Sequence, residues 1–301
     1  MRRFGTGSIL FLCLLALTLP AARAAGEESD EPPKLLGKCT VRQLDEEPFS
    51  EWFRGGYRDY TPNPKVLQAL GGADQRGVEM MLFFGTWCGD SRRELPRILK
   101  LLDEIGFPEG RVELVAVDSG EGVHKRSPGG EEQGLDIYRV PTLVVRRDGK
   151  EIARLVEFPV LSLERDLLAI LSDARYEPNY RSYPVIHRWL DEGLLADENV
   201  SAWGLANQVR NRVATEGELA AAARVLLERG DVAEAVKLMQ VNCALYRESA
   251  SCFAGLAEAQ LSAGEMEAAR NAAQRALRLN TDPDRVEDLV GLLERSGPRA
   301  E

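Results

Sequence analysis

The spacing of apolar and polar positions divides the chain into two parts of different character. Val78–Gly85 (VEMMLFFG) is a continuous apolar run bounded by turn signals, which predicts a strand buried on both faces. Ser91–Ile105 carries Leu95, Ile98, Leu99, Leu101 and Leu102 on one stripe at helical spacing. Arg111–Val117 alternates and is rich in β-branched residues, predicting a second strand. Ser119–Gly134 is a polar, Gly-rich loop that carries His124. Beyond it, Val140–Val145 and Glu151–Glu157 predict two strands, and the Asp148-Gly149 pair between them predicts a hairpin. Leu161–Leu171 follows as an amphipathic helix. Upstream, Lys65–Leu70 predicts a short helix, whereas the aromatic, Gly-rich stretch Trp52–Pro64 is expected to pack without forming a regular element. Parallel pairing first and an antiparallel hairpin last describe an α/β domain: a central mixed β-sheet flanked by helices.

From Ser182 onward strand signals stop, and Ala, Leu, Glu and Arg dominate. Gly230-Asp231 and Gly264-Glu265 stand 34 positions apart, each between two helical stretches. Glu234-Ala235 falls on Ala268-Ala269 and Leu219 on Phe253 in the same register. This helix–turn–helix period resembles the tetratricopeptide (TPR) repeat, and implies an all-α TPR-like domain over residues 215–297. Two repeats bury too little surface on their own, so Val200–Val213 and Val286–Leu293 are expected to supply flanking helices. The α/β domain is assigned to residues 61–175, with a helical linker over 176–214.

The first residues change the picture of where the protein works. Arg2 and Arg3 precede an apolar run, Ile9–Leu19, which Pro20 ends; Ala22-Arg23-Ala24 then matches a signal-peptidase site. The run is shorter than the ~20 residues a membrane-spanning helix needs. Residues 1–24 therefore read as a cleaved signal peptide, and residues 25–60 as an N-terminal extension with an acidic, Pro-containing start. The expectation is an exported protein, periplasmic or secreted, with a bacterial periplasm as the natural compartment and no stable membrane span after cleavage. The formal charge of −10 becomes −13 once Arg2, Arg3 and Arg23 are removed. So acidic a surface argues against nucleic acid and anionic membranes as partners.

The candidate chemistry lies at Thr86-Trp87-Cys88-Gly89-Asp90-Ser91, where the buried strand turns into a helix. Cys88 is expected at that helix's N-terminus, where unpaired N–H groups and the dipole favour thiolate, the nucleophilic form. Arg92 and Arg93 push the same way, and Asp90 pushes back. Trp87-Cys88-Gly89, Pro96 in the following helix, Val140-Pro141-Thr142 and Asp148-Gly149 together resemble the thioredoxin superfamily over residues 61–175. The resemblance implies a site shaped by Trp87, Gly89, Asp90, Val140 and Pro141, with a cis Pro141 facing the Cys88 sulfur. Two departures stand out: Ser91 occupies the place of the second cysteine of dithiol members, and Leu82 that of the buried strand acid. The variant is thus a CxxS form. Monothiol exchange remains, with Cys88 attacking a substrate disulfide, Ser91 offering a hydroxyl to its thiolate, and a second thiol clearing the mixed disulfide.

That second thiol is the substrate's own, a small molecule's, or Cys39 as a resolving thiol within the chain. Cys243 and Cys252 flank a junction between repeats and are expected to form a structural disulfide; their nine-residue gap and the lack of nearby histidines exclude a metal role. His124 is weighed as a base for Cys88 against a solvated loop residue, and His187 reads as structural. No cofactor and no metal are implied. The implied partners are protein substrates with thiols or disulfides, and an unidentified protein or peptide held by the repeats. Two other classes stay open: a non-enzymatic interaction or chaperone-like protein with an idle Cys88, and a redox sensor bridging Cys39 to Cys88.

Overall fold

A computed structural model describes residues 32–297, and Lys34 onward belongs to one compact unit. The leader over residues 1–24 lies outside the described residues. Strand β1 (Gly37–Cys39) is followed by helices α1 (Val41–Leu44), α2 (Ser50–Asp59) and α3 (Pro64–Gly71). Strand β2 (Val78–Phe84) leads into α4 (Gly89–Glu104), and β3 (Val112–Ala116) precedes the hairpin of β4 (Thr142–Arg147) and β5 (Lys150–Val156). Helices α5 (Leu163–Leu171), α6 (Tyr183–Asp191) and α7 (Ala202–Val209) come next. The C-terminal region consists of α8 (Glu216–Arg229), α9 (Val232–Leu245), α10 (Ala250–Ser262), α11 (Met266–Leu279) and α12 (Val286–Arg295).

The five strands form one mixed sheet in the order β1-β3-β2-β4-β5. Only β2 and β3 run parallel, with Leu82 opposite Leu114; β4 pairs antiparallel to β2, with Leu143 opposite the same Leu82. The apolar run of β2 follows from this central place. Val78, Met80, Leu82 and Phe84 point into a core shared with Leu95, Leu99 and Leu102 of α4 and Leu167 of α5. Phe83 points to the opposite face, against Val115, Val140 and Val144. A strand covered on both sides has no reason to alternate.

Two features of the N-terminal segment depart from the sequence reading. Residues 50–59, expected to be irregular, form a helix, and residues 37–39 add an edge strand antiparallel to β3. Gly55 and Gly56 weaken helix propensity and hide α2 from a local reading. Tertiary packing is what requires Gly56: a Cβ there would lie 2.6 Å from Cγ of Pro96, so α2 can cross α4 only over a glycine. Tyr57 ties the crossing by donating its hydroxyl to Asp103 at 2.6 Å.

The C-terminal helices pair as α8/α9 and α10/α11, with Gly230 and Gly264 at the turns, both in the left-handed region. Thr215 and Glu218 form a capping box at the start of α8, and Ser182 donates to Glu218 at 2.6 Å. Close helix contact rests on small residues: Ala222, Ala223, Ala257, Ala273 and Ala276 are buried, and a Cβ on Gly255 would sit 2.7 Å from Cε of Met239. The core of these helices continues into the α/β part through Tyr138 and Val156. Among the described residues, no helix is long and apolar enough to cross a membrane.

Candidate functional site

The end of β2 turns sharply before α4, and the turn sets Cys88 at the helix start. Its N–H donates to Gly85 O at 2.9 Å, and its extended backbone (φ −89°, ψ 126°) is that of an N-cap residue. Trp87 folds back across the turn, donating its indole N–H to Val117 O at 2.8 Å. That indole lies so close to Gly85 that a Cβ there would be 2.5 Å from it. Arg92 donates to Thr86 O at 2.6 Å, so its charge is committed to the turn's backbone.

The half-buried Cys88 thiol faces the loop before β4, donating to Val140 O at 3.3 Å, and the Val140–Pro141 peptide is cis. Ser91 is fully buried, and its Oγ accepts the Gly85 N–H at 3.1 Å. By accepting this bond Ser91 holds the strand end against the helix, while its own O–H proton is not consumed by it. Gly89 is exposed, and Asp90 is paired with Arg93 at 2.8 Å on the half-exposed first turn. Their opposing charges largely offset each other, and solvent screens both.

The loop after β3 brings a second pair of residues to this face. His124 is buried, with its ring centroid 5.9 Å from that of Trp87. Its Nε2 contacts the Lys125 ammonium, and its Nδ1 has no hydrogen-bond partner. Burial, with Lys125 and Arg224 nearby, holds the imidazole down to about 4, so it stays neutral near pH 7. His124 contacts Lys125, while the Cys88 thiol is bonded to Val140 O, which disfavours the reading of His124 as a base for that thiol.

The next residue, Lys125, is a cation of the same loop. It adopts left-handed backbone (φ 60°), its N–H bonded to Asp118 O at 2.8 Å, and the side chain is largely withdrawn from solvent. Burial, then Arg224 and Arg139, push its ammonium down to about 8, while Cys88 and Glu157 pull it up. Arg224 belongs to α8, so the helical region reaches the electrostatic surroundings of the site. Nothing local in the sequence signals this, because the approach depends on how the loop packs beneath α8.

Arg139, next to Val140, binds the loop to the helices. It donates to Glu157 at 3.0 Å, to the Tyr183 hydroxyl at 2.8 Å and to Gly217 O at 3.0 Å, with its guanidinium 4.6 Å from the Tyr180 ring centre. His187 contacts Asp136, which also accepts from Arg229 of α8 at 2.7 Å.

The other cysteines lie elsewhere. Cys39 pairs opposite Leu114 and lines a cavity with Leu99, Leu102 and Phe107. Those α4 residues are more than ten positions beyond Cys88, about 15–20 Å along the helix at its normal rise. A disulfide needs Cα atoms about 4.4–6.8 Å apart. Cys39 is therefore neither a resolving thiol for Cys88 nor half of a redox bridge with it, and burial pushes its thiol up to about 11. Cys243 and Cys252 are both buried, near enough for their charges to interact, and both are free thiols; the bridge expected from the repeat junction is not formed. Cys252 instead donates to Glu216 at 3.4 Å. Among the described residues, no group of His, Cys, Asp and Glu is arranged to hold a metal.

No protein-family description matches the chain. No solved structure matches it either. Part of the sequence is similar to the thioredoxin of Staphylococcus haemolyticus, 27% identical over 85 residues that make up 28% of this chain and 72% of that protein. This similarity and a mixed sheet with flanking helices fit a thioredoxin-like domain, followed in this chain by a helical region.

Proposed function

We propose that the protein is an exported monothiol exchange protein that works through Cys88. The observation that carries the reading is the half-buried Cys88 thiol at the N-terminus of α4, aimed at the carbonyl of Val140 beside the cis Val140–Pro141 peptide. The Cys88 thiolate attacks one sulfur of a substrate disulfide; the substrate S–S bond breaks, a mixed disulfide forms, and the departing sulfur leaves as a thiolate that takes up a proton. Ser91 has no sulfur with which to resolve this intermediate, and Cys39 is out of reach. Release falls to the substrate's own second thiol, which is isomerisation, or to a small-molecule thiol. Export is inferred from the leader, and the helix pairs spaced 34 residues apart are read as TPR-like repeats that recruit a protein or peptide partner.

A second reading has its own support. The His124–Lys125 loop is tied to α8, with Arg126 donating to Glu228 O at 3.3 Å and Arg229 bound to Asp136, a restraint suited to an interaction protein with an idle Cys88. Trapping separates the two. Incubation with a model disulfide substrate and quenching with acid should yield a Cys88-linked mixed disulfide by mass spectrometry, lost in C88S. If no adduct forms with any disulfide while partner binding survives C88S, the exchange reading is wrong and the interaction reading stands.

A further inference from the structure

An antiparallel pair commits the backbone groups of every second residue to the partner strand and turns the others away from it. In the β4–β5 hairpin, Glu157 N–H donates to Pro141 O at 2.7 Å, which makes residues 141 and 157 a bonded pair. The register carries the same parity to Leu143 with Leu155 and Val145 with Ala153. Arg154 and Val156 therefore turn their backbone groups outward, and β5 is the last strand of the sheet on that side. Phe158 N–H donates to the Val156 carbonyl at 2.8 Å. The N–H and C=O of Arg154 and the N–H of Val156 have no hydrogen-bond partner among the described residues.

A cavity of about 250 Å³ borders this edge. Its lining includes Ala153, which packs towards the core of α4 and α5, and Val156, which packs towards the C-terminal helices. Successive strand residues point to opposite faces, so a cavity that touches both lies at the strand's edge. The facing wall is aromatic and apolar, formed by Tyr138, Tyr176, Pro178, Tyr183 and Pro184. Tyr138 is fully buried, and its hydroxyl has no partner. Half-exposed Ile152 adds apolar surface.

The charges in the lining are already matched. Arg154 donates to Glu151 at 2.6 Å, and Asp136 accepts from Arg229 at 2.7 Å while contacting His187. No excess charge remains to draw an ion. Open main-chain donors and an acceptor beside an apolar pocket suit an extended peptide, whose backbone bonds the edge while one side chain fills the pocket. We propose that the outer edge of β5 is a docking site for an extended, uncharged polypeptide segment. The segment adds to the sheet as a further strand and places an apolar side chain among Tyr138, Tyr176 and Tyr183.

The probes are capped, uncharged Ser/Thr peptides with a central Val, Leu, Ile, Phe or Tyr; they contain no sulfur, so exchange at Cys88 plays no part in their binding. Amide hydrogen exchange of the full chain locates the peptide, and the concentration dependence of protection gives its affinity. At least one probe should protect residues 150–156. R154P removes an N–H that points out of the sheet and leaves the hairpin bonds in place, so it should weaken binding about tenfold, the worth of one main-chain bond. R154A loses the same side chain but keeps the N–H, and should bind as wild type does. If no probe protects residues 150–156 in the wild-type chain, the proposal is overturned, whether or not R154P folds. Equal weakening in R154P and R154A, or wild-type binding by R154P with an unchanged melt, also overturns it. Protection of residues 150–156 that grows with protein concentration and does not respond to the probes would make the occupant a second copy of the chain, against the proposal.

Discussion

The Oγ of Ser91 accepts the backbone N–H of Gly85 at 3.1 Å, and the serine is fully buried at that point. The hydroxyl that occupies the second-cysteine position thus fastens the first residue after β2 to the first turn of α4. In S91A the Gly85 N–H is left buried and unpaired, which should cost about 1–3 kcal/mol of stability. Urea denaturation measures that cost, and Cys88 labelling at pH 7 in the same variant should stay near the wild-type rate. A variant as stable as wild type would mean that the bond contributes nothing.

Residues three apart on a helix lie side by side, so S91C sets a second sulfur next to Cys88. Mild oxidation should then remove both thiols from labelling, and mixed disulfides formed with a substrate should clear faster than in wild type. Unchanged lifetimes would show that position 91 does not reach the intermediate.

Cys39 lies by the C-terminal part of α4 while Cys88 begins that helix. C39A should therefore leave the lifetime of any Cys88 mixed disulfide unaltered. A longer-lived adduct in C39A, followed by non-reducing gel analysis, would contradict the separation of the two thiols.

Arg139 joins the loop bearing Val140 to Glu157, Tyr183 and Gly217. Truncation in R139A leaves the Glu157 carboxylate without its cation in a partly buried setting, for an expected loss of roughly 2–4 kcal/mol. R139K should recover little, since an ammonium cannot divide its donors among three separated groups as a planar guanidinium does. Chemical denaturation of the three proteins tests both statements.

His124 predicts the acid side of the stability curve. Burial, aided by Lys125 and Arg224, depresses its folded-state ionisation from 6.5 to about 4, so the folded protein holds it neutral after the unfolded chain has taken up a proton. Stability is lost as pH falls from about 6.5 towards 4, by about 1–3 kcal/mol, and the loss stays constant below that. H124F has no proton to bind. The difference between wild type and H124F in denaturation from pH 7 to 4 should shrink or grow steadily in the sense that acid penalises wild type more. A pH-independent difference would rule this out.

The local order of elements was legible in the residues. The unbroken apolar run at 78–84, the helical stripe after Ser91 and the Asp148-Gly149 turn each carry a period or a turn preference that depends only on nearby positions. Cys88 at a helix start followed from the same reasoning, because a strand–turn–helix boundary leaves unpaired N–H groups whatever surrounds it. Other features depend on which distant surfaces meet. Residues 50–59 form a helix against the local signal of Gly55 and Gly56 because α2 needs a residue without a side chain where it crosses Pro96. Cys39 was separated from Cys88 by strand register and the length of α4, and sequence spacing does not encode either. Lys125 is withdrawn from water because its loop takes a left-handed turn and is tied to α8 through Arg126 and Glu228, a meeting that local sequence does not encode. Periodicity and turn chemistry are short-range and stay in the sequence; burial, register and the meeting of charges are long-range, and folding alone decided them.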